Sequence, residues 1–187
     1  RCGRDKAATL DSGLTMNLHR LLLARAATDQ PLRVALIGAG KFGAMYLAQA
    51  KHTPGIHVVA VADLAIERAK ASLARTGWPA ERYDARSLAE AGRSGTTCVT
   101  DDALAAIAAP EVEIVIDATG SPSAGIRHAL ACCAHGKHVV MVNVEADALA
   151  GPLLAQRARE AGVVYSLAYG DQPALISEMV DWARAAG

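Results

Sequence analysis

The chain has no charge to spare. Nineteen Lys and Arg residues balance nineteen Asp and Glu residues, so no electrostatic footprint points to nucleic acid or to an anionic membrane. No apolar run reaches the length of a membrane span. Leu21-Leu22-Leu23 lacks the h-region and cleavage site of a signal peptide. The cysteines (Cys2, Cys98, Cys132, Cys133) form no CxxC pair and no zinc spacing. They read as reduced, mostly buried thiols, which suits a cytoplasmic protein. The six histidines make no HxxxH or HxH cluster, so no metal site is expected. No GxSxG or other serine-nucleophile signature occurs, and neither internal repeats nor low-complexity tracts are visible.

What is present is a globular chain of 187 residues, 52% hydrophobic, long enough to bury a core without staples. Residues 1–30 read as an extension with a short amphipathic helix carrying Leu18, Leu21, Leu22 and Arg25. Met16 is a candidate native start, and the residues before Met16 have no clear period. Residues 31–187 read as one domain.

From Leu32 onward, apolar strands alternate with helices. Strands are expected at Leu32–Ile37, Ile56–Ala62, Thr97–Thr100, Val112–Ala118, His138–Val142 and Val163–Ala168. Helices are expected at Phe42–Lys51, Leu64–Arg75, Ala103–Ala108 capped by Asp101, Ser123–Ala134, Pro152–Ala161, and from Pro173 to the end. Pro152 is placed at the first helical position, where a missing N–H costs nothing. Residues Thr76–Gly95 interrupt the rhythm and read as an insertion with a helical turn at Ser87–Ala91. Buried strands alternating with helices imply a parallel sheet covered on both faces, an α/β doubly wound (Rossmann) domain.

The strongest motif is Gly38-x-Gly40-x-x-Gly43, between an apolar strand and a helix. Gly38 permits the turn out of the strand, Gly40 leaves room for a pyrophosphate, and Gly43 lets the helix pack close to the sheet. Lys41 and Phe42 belong to the same loop and are assigned with it to the cofactor. The bland alternative is a glycine-rich turn that binds nothing. Asp63 follows the second strand, twenty residues after Gly43, where a carboxylate accepts bonds from ribose hydroxyls and disfavours the extra phosphate of NADP. Arg68 is placed to soften that preference. Alternatively, Asp63 caps the following helix. The cofactor is therefore NAD or NADP.

Asp117-Ala118-Thr119-Gly120-Ser121-Pro122 closes the fourth strand at the edge where such sheets bind ligands. Thr119 and Gly120 are assigned to the nicotinamide half, against the reading of a plain turn. Asn143, Glu145 and Asp147 follow the fifth strand, and Tyr169-Gly170-Asp171-Gln172-Pro173 the sixth. Asn143 is assigned to the cofactor, and Glu145 and Asp171 to the substrate side as candidate catalytic groups. Their ordinary roles would be solvated or helix-capping carboxylates.

Four stretches together resemble the homoserine-dehydrogenase-like oxidoreductases. They are Leu36-Ile37-Gly38-Ala39-Gly40-Lys41-Phe42-Gly43, Asp117-Ala118-Thr119-Gly120, Lys137 through Asp147, and Ala168 through Pro173. The chain is most similar to the branch that carries a SAF domain and includes the deoxyxylulose-phosphate-reductoisomerase-like enzymes. The resemblance implies an NAD(P)-dependent oxidoreductase with a second, catalytic domain absent from this chain. Homoserine dehydrogenases carry T-x-N-K after the fifth strand, with the lysine in catalysis. Here Asn143 remains and Val144 stands at the lysine position, which argues against homoserine as substrate. The expected activity is hydride transfer to or from a small polar substrate, phosphorylated or not, with a non-catalytic NAD(H)-sensing module as the alternative. No nucleic-acid or membrane partner is expected, and assembly with copies of itself stays open.

Overall fold

The computed structural model describes residues 18–168 and 172–186. Six strands, β1 (Leu32–Ile37), β2 (Ile56–Ala62), β3 (Cys98–Thr100), β4 (Ile114–Asp117), β5 (His138–Met141) and β6 (Tyr165–Leu167), form one sheet in the order β3-β2-β1-β4-β5-β6. Every pairing is parallel. Strand order therefore reverses between β1 and β4, and there the carboxyl ends open a crevice. In register, Ile37 faces Ala62 on one side and Asp117 on the other. The loops after β1, β2 and β4 consequently start level with one another.

Helices α2 (Lys41–Ala50) and α3 (Ile66–Arg75) cover one face, and α5 (Ala103–Ala108), α6 (Pro122–Ala134) and α7 (Val144–Glu160) the other. Strand residues alternate between the two cores. Val34 and Leu36 join Leu47 and Leu73, while Ala35 and Ile37 join Ile107, Cys132 and Leu154. The pairing of β1 with β2 slips between Val34 and Ala35, which places both Val59 and Ala60 on the second face. Helix α1 (Leu18–Ala27) precedes the sheet, and its Leu22 carbonyl lies so close to Gly55 that no side chain fits there.

Three local expectations need correction. Helix α7 begins at Val144, eight residues before the expected start, and holds Pro152 in its interior. Its buried positions Ala146, Gly151, Leu154 and Ala158 share one face, and Asn143 accepts from the Ala146 N–H as its cap. Packing of that face and a good cap outweigh the single bond that Pro152 cannot make. Asn143, Glu145 and Asp147 thus belong to a helix start and not to a loop. Asp102, not Asp101, caps α5, through the Ala105 N–H. In the insertion, α4 (Leu88–Ser94) is a full short helix capped by Ser87, after a 3-10 turn at Ala80–Arg82. Helix α8 (Gln172–Ala186) leaves Ile176, Met179 and Trp182 exposed.

Candidate cofactor site

The loop after β1 is shaped by three glycines with three different tasks. Gly38 has φ +98°, and a Cβ there would stand 2.7 Å from the Ala118 carbonyl oxygen. The loops after β1 and β4 therefore touch backbone to backbone. At Gly43 a side chain would run into the Gly38 carbonyl, so α2 packs directly on the turn. At Gly40 a Cβ would meet nothing within 4 Å. That space lies at the start of α2, where Gly40 caps the helix without any side-chain bond. The first-turn N–H groups thus face it with the positive end of the helix. Lys41 and Phe42 are both exposed beside it.

Asp63 is buried, and both its oxygens are engaged. Oδ2 accepts from the Ala39 N–H at 2.9 Å, and Oδ1 accepts from the Ala65 N–H at 2.9 Å and from Arg68 Nη2 at 2.6 Å. Burial pushes this carboxyl up, but the two N–H bonds and the Arg68 guanidinium outweigh burial and hold it below its ordinary value. Asp63 thus turns the chain after β2 and braces the glycine loop. The brace on Ala39 escaped sequence reasoning, because nothing in the spacing announces it. Arg68 remains largely open to solvent, with its head group on the carboxylate.

A second network fixes the loop after β4. Asp117 Oδ1 accepts from the Thr119 N–H at 3.1 Å and from the Thr119 hydroxyl at 2.8 Å. Its Oδ2 lies 2.6 Å from His128 Nδ1, and both residues are buried. Burial raises the Asp117 carboxyl, yet the His128 and Thr119 bonds prevail and keep it low. Asn143 Nδ2 donates to Thr119 Oγ1 at 3.1 Å and to the Ser121 carbonyl at 2.8 Å. Asn143 thereby joins the loop after β4 to the start of α7. Gly120, at φ +52°, stands exposed at the tip. Asp117 and His128 were not assigned from sequence. An acidic residue ending an apolar strand, with a histidine eleven positions on, was the available signal.

Glycine loop, Asp63, Thr119, Gly120 and Asn143 therefore converge on the carboxyl edge of the sheet. Glu145 lies exposed in the first turn of α7, where the helix dipole suits a carboxylate. Asp147 is turned away, accepting from the Tyr165 hydroxyl at 2.9 Å. Asp171 lies outside the described residues. Among the described residues no three His, Cys, Asp or Glu side chains gather as a metal site, and no helix is long and apolar enough to cross a membrane.

A family model described as the oxidoreductase family with an NAD-binding Rossmann fold matches residues 32–169. The chain belongs to this family. Its cofactor is accordingly a nicotinamide dinucleotide, and the open space at Gly40 fits the pyrophosphate that such a cofactor brings. Comparison with curated proteins finds no match. Among solved structures, a homoserine dehydrogenase from Thiobacillus denitrificans is 23% identical, with a TM-score of 0.58, covering 73% of this chain and 29% of that one. An NAD-binding oxidoreductase from Klebsiella pneumoniae is 23% identical, with a TM-score of 0.56, covering 82% of this chain and 39% of that one. Biliverdin reductase from Synechocystis, solved with biliverdin and NADP+, is 22% identical, with a TM-score of 0.51, covering 73% and 37%. These likenesses concern the fold, and the chain spans about a third of the length of the structures it matches.

Proposed function

We propose that residues 31–187 form the cofactor-binding part of an NAD(P)-dependent oxidoreductase, with residues 1–30 as an extension. The observation that carries this reading is the empty space over Gly40, walled by a loop that Asp63 holds through Ala39. When bound, the cofactor supplies or accepts the hydride. The chain's own part is binding and orientation. The first-turn N–H groups of α2 receive the pyrophosphate, the Asp63–Arg68 pair receives the adenosine ribose, and Thr119, Gly120 and Asn143 bound the nicotinamide half. Because Asp63 already bonds Ala39, Ala65 and Arg68, the exposed guanidinium is the group that meets a 2′-phosphate. NADP(H) is then accepted alongside NAD(H).

The finer assignment is to homoserine-dehydrogenase-like enzymes of the SAF-domain branch, acting on a small polar substrate. It is supported by the stretches Lys137 through Asp147 and Ala168 through Pro173, with Val144 at the lysine position of homoserine dehydrogenases. Glu145 and Asp171 are proposed for the substrate side, both following strands at the carboxyl edge. The decisive test is calorimetry with NAD(H) and NADP(H) on the parent and on Gly40→Val. Gly40 has an ordinary φ of −69°, so the variant keeps its backbone while the branched side chain fills the cradle. Binding to the parent and little to the variant is expected. Undiminished binding to a folded Gly40→Val protein would remove the assignment.

A further inference from the structure

The insertion that interrupts the strand-helix rhythm plays no part in the cofactor edge. It builds one wall of a cavity of about 1090 Å³ at the opposite, amino-terminal edge of the sheet. The other walls are the starts of β1 and β2, the end of α2 and the end of α1. Arg33 and His57 sit side by side at its floor, paired across β1 and β2. Five residue steps along β1 lead from Arg33 to Gly38, roughly 16 Å of strand, so the two edges are distinct places.

The lining is unbalanced in charge, although the chain as a whole is neutral. Arg33 is matched by Glu113, which accepts from both its backbone N–H and its Nε. Arg25, Lys51, Arg82 and Arg93 also line the cavity. Among the described residues none of these four has a carboxylate in ion-pair contact. Arg25 and Lys51 donate to backbone carbonyls, of Gln30 and of Thr76 and Gly77, and the Arg25 charge also helps hold the Glu113 carboxyl low. Asp29 is the one other carboxylate in the lining. His57 Nε2 donates to the Thr96 carbonyl oxygen at 2.7 Å. Burial depresses this imidazole, and the charges of Arg82 and Arg33 depress it further.

We propose that this cavity is an anion site for a small phosphorylated molecule, separate from the cofactor crevice. Its size is that of a small-molecule pocket. Uncompensated positive charge in a concave surface concentrates anions. The planar forks of Arg82 and Arg93 match phosphate oxygens two at a time. Their position on the 3-10 turn and on α4 explains the chemistry the insertion adds: it brings two arginines to a cavity that Lys51 already lines, while Arg33 is balanced by Glu113. The site does not depend on the reading of the carboxyl edge.

Pyrophosphate is the probe, read by calorimetry and by the NMR titration of the His57 imidazole, in the parent, in Gly40→Val and in Arg82→Gln/Arg93→Gln. All three are checked for folding by circular dichroism; Arg82 and Arg93 are exposed, so their loss leaves the core intact. A bound anion beside His57 raises its pKa. The expected result is an upward shift that survives Gly40→Val, and an affinity about tenfold or more weaker in the double arginine variant, as loss of charge-assisted bonds implies. NAD(H) binding should show the reverse pattern. Absence of any His57 shift, equal pyrophosphate affinity in the arginine variant, or loss of the His57 shift in Gly40→Val would overturn the proposal.

Discussion

Asp63, just after β2, and Asp117, at the end of β4, leave the sheet on either side of β1, and each carboxylate holds a loop. At Asp63 the consequence is a split between bracing and selection. Removing Arg68 leaves the brace to Ala39 in place, whereas removing Asp63 strands a buried N–H at a cost of about 1–3 kcal/mol. Arg68→Ala is therefore expected to weaken NADP(H) more than NAD(H), measured as a ratio of dissociation constants. Equal weakening would make Arg68 a purely structural partner. Asp117 is more deeply buried and anchors Thr119. Asp117→Asn keeps an oxygen for Thr119 but sets an amide NH2 where Oδ2 meets His128, and should lower stability by about 1–3 kcal/mol in urea unfolding. A variant as stable as the parent would show that the amide replaces every bond. The spacing of Asp63 to the glycines was legible, and the structure sets its carboxylate against the glycine loop. Its bond to Ala39 was not legible, because that bond joins residues on two different strands' loops.

Helix α7 shows where local rules yield. Reading Pro152 as a helix start is sound by backbone chemistry, since an interior proline forfeits a bond. The apolar spacing of Ala146, Leu154 and Ala158, and the Asn143 cap, carry the helix through it. Asn143 is also the tie to Thr119 and Ser121. Asn143→Ala is thus expected to cost about 1 kcal/mol or more as a lost cap, and to loosen cofactor binding as well. A cap alone would change the melting temperature and leave binding untouched. Contact between α6 and α7 is equally close: a Cβ at Gly125 would meet Ala146 Cβ and Asn143 Nδ2, both at 2.7 Å. Periodicity revealed most strands to within a residue or two, because buried parallel strands are continuous apolar runs. Edges of helices were less legible, because capping and packing compete there.

At the scale of the molecule, Asp63 and Asp117 predict an acid-sensitive fold. Each carboxyl in the folded chain lies below its ordinary value of 3.8, so the unfolded chain binds more protons as pH falls. Their contribution is complete above that value and lost as pH drops through the lower, folded one. Unfolding followed against pH should show an early loss as pH falls below about 6.5, from the depressed His57 imidazole, and a steeper decline below about pH 4 from these two carboxyls. Asp117→Asn should flatten part of that decline, and an unchanged slope would refute the assignment. Hydride transfer needs a substrate held against the nicotinamide, and this chain spans about a third of the matched structures. The 187 residues by themselves are therefore expected to bind cofactor and not to turn over substrate, and robust dehydrogenase activity from them would contradict this. The sequence by itself determined the alternation of strands and helices, the glycine loop and the acidic residue facing it, because hydrophobic periodicity and glycine spacing are local. The tertiary structure alone decided that Asp63 holds Ala39, that Asp117, Thr119, His128 and Asn143 form one network, and that an insertion closes a basic cavity at the far edge. The Ala39–Asp63 bond, the tie of Asn143 to Thr119 and the walls of the cavity join residues far apart in the chain, and the order of strands in the sheet brings them together.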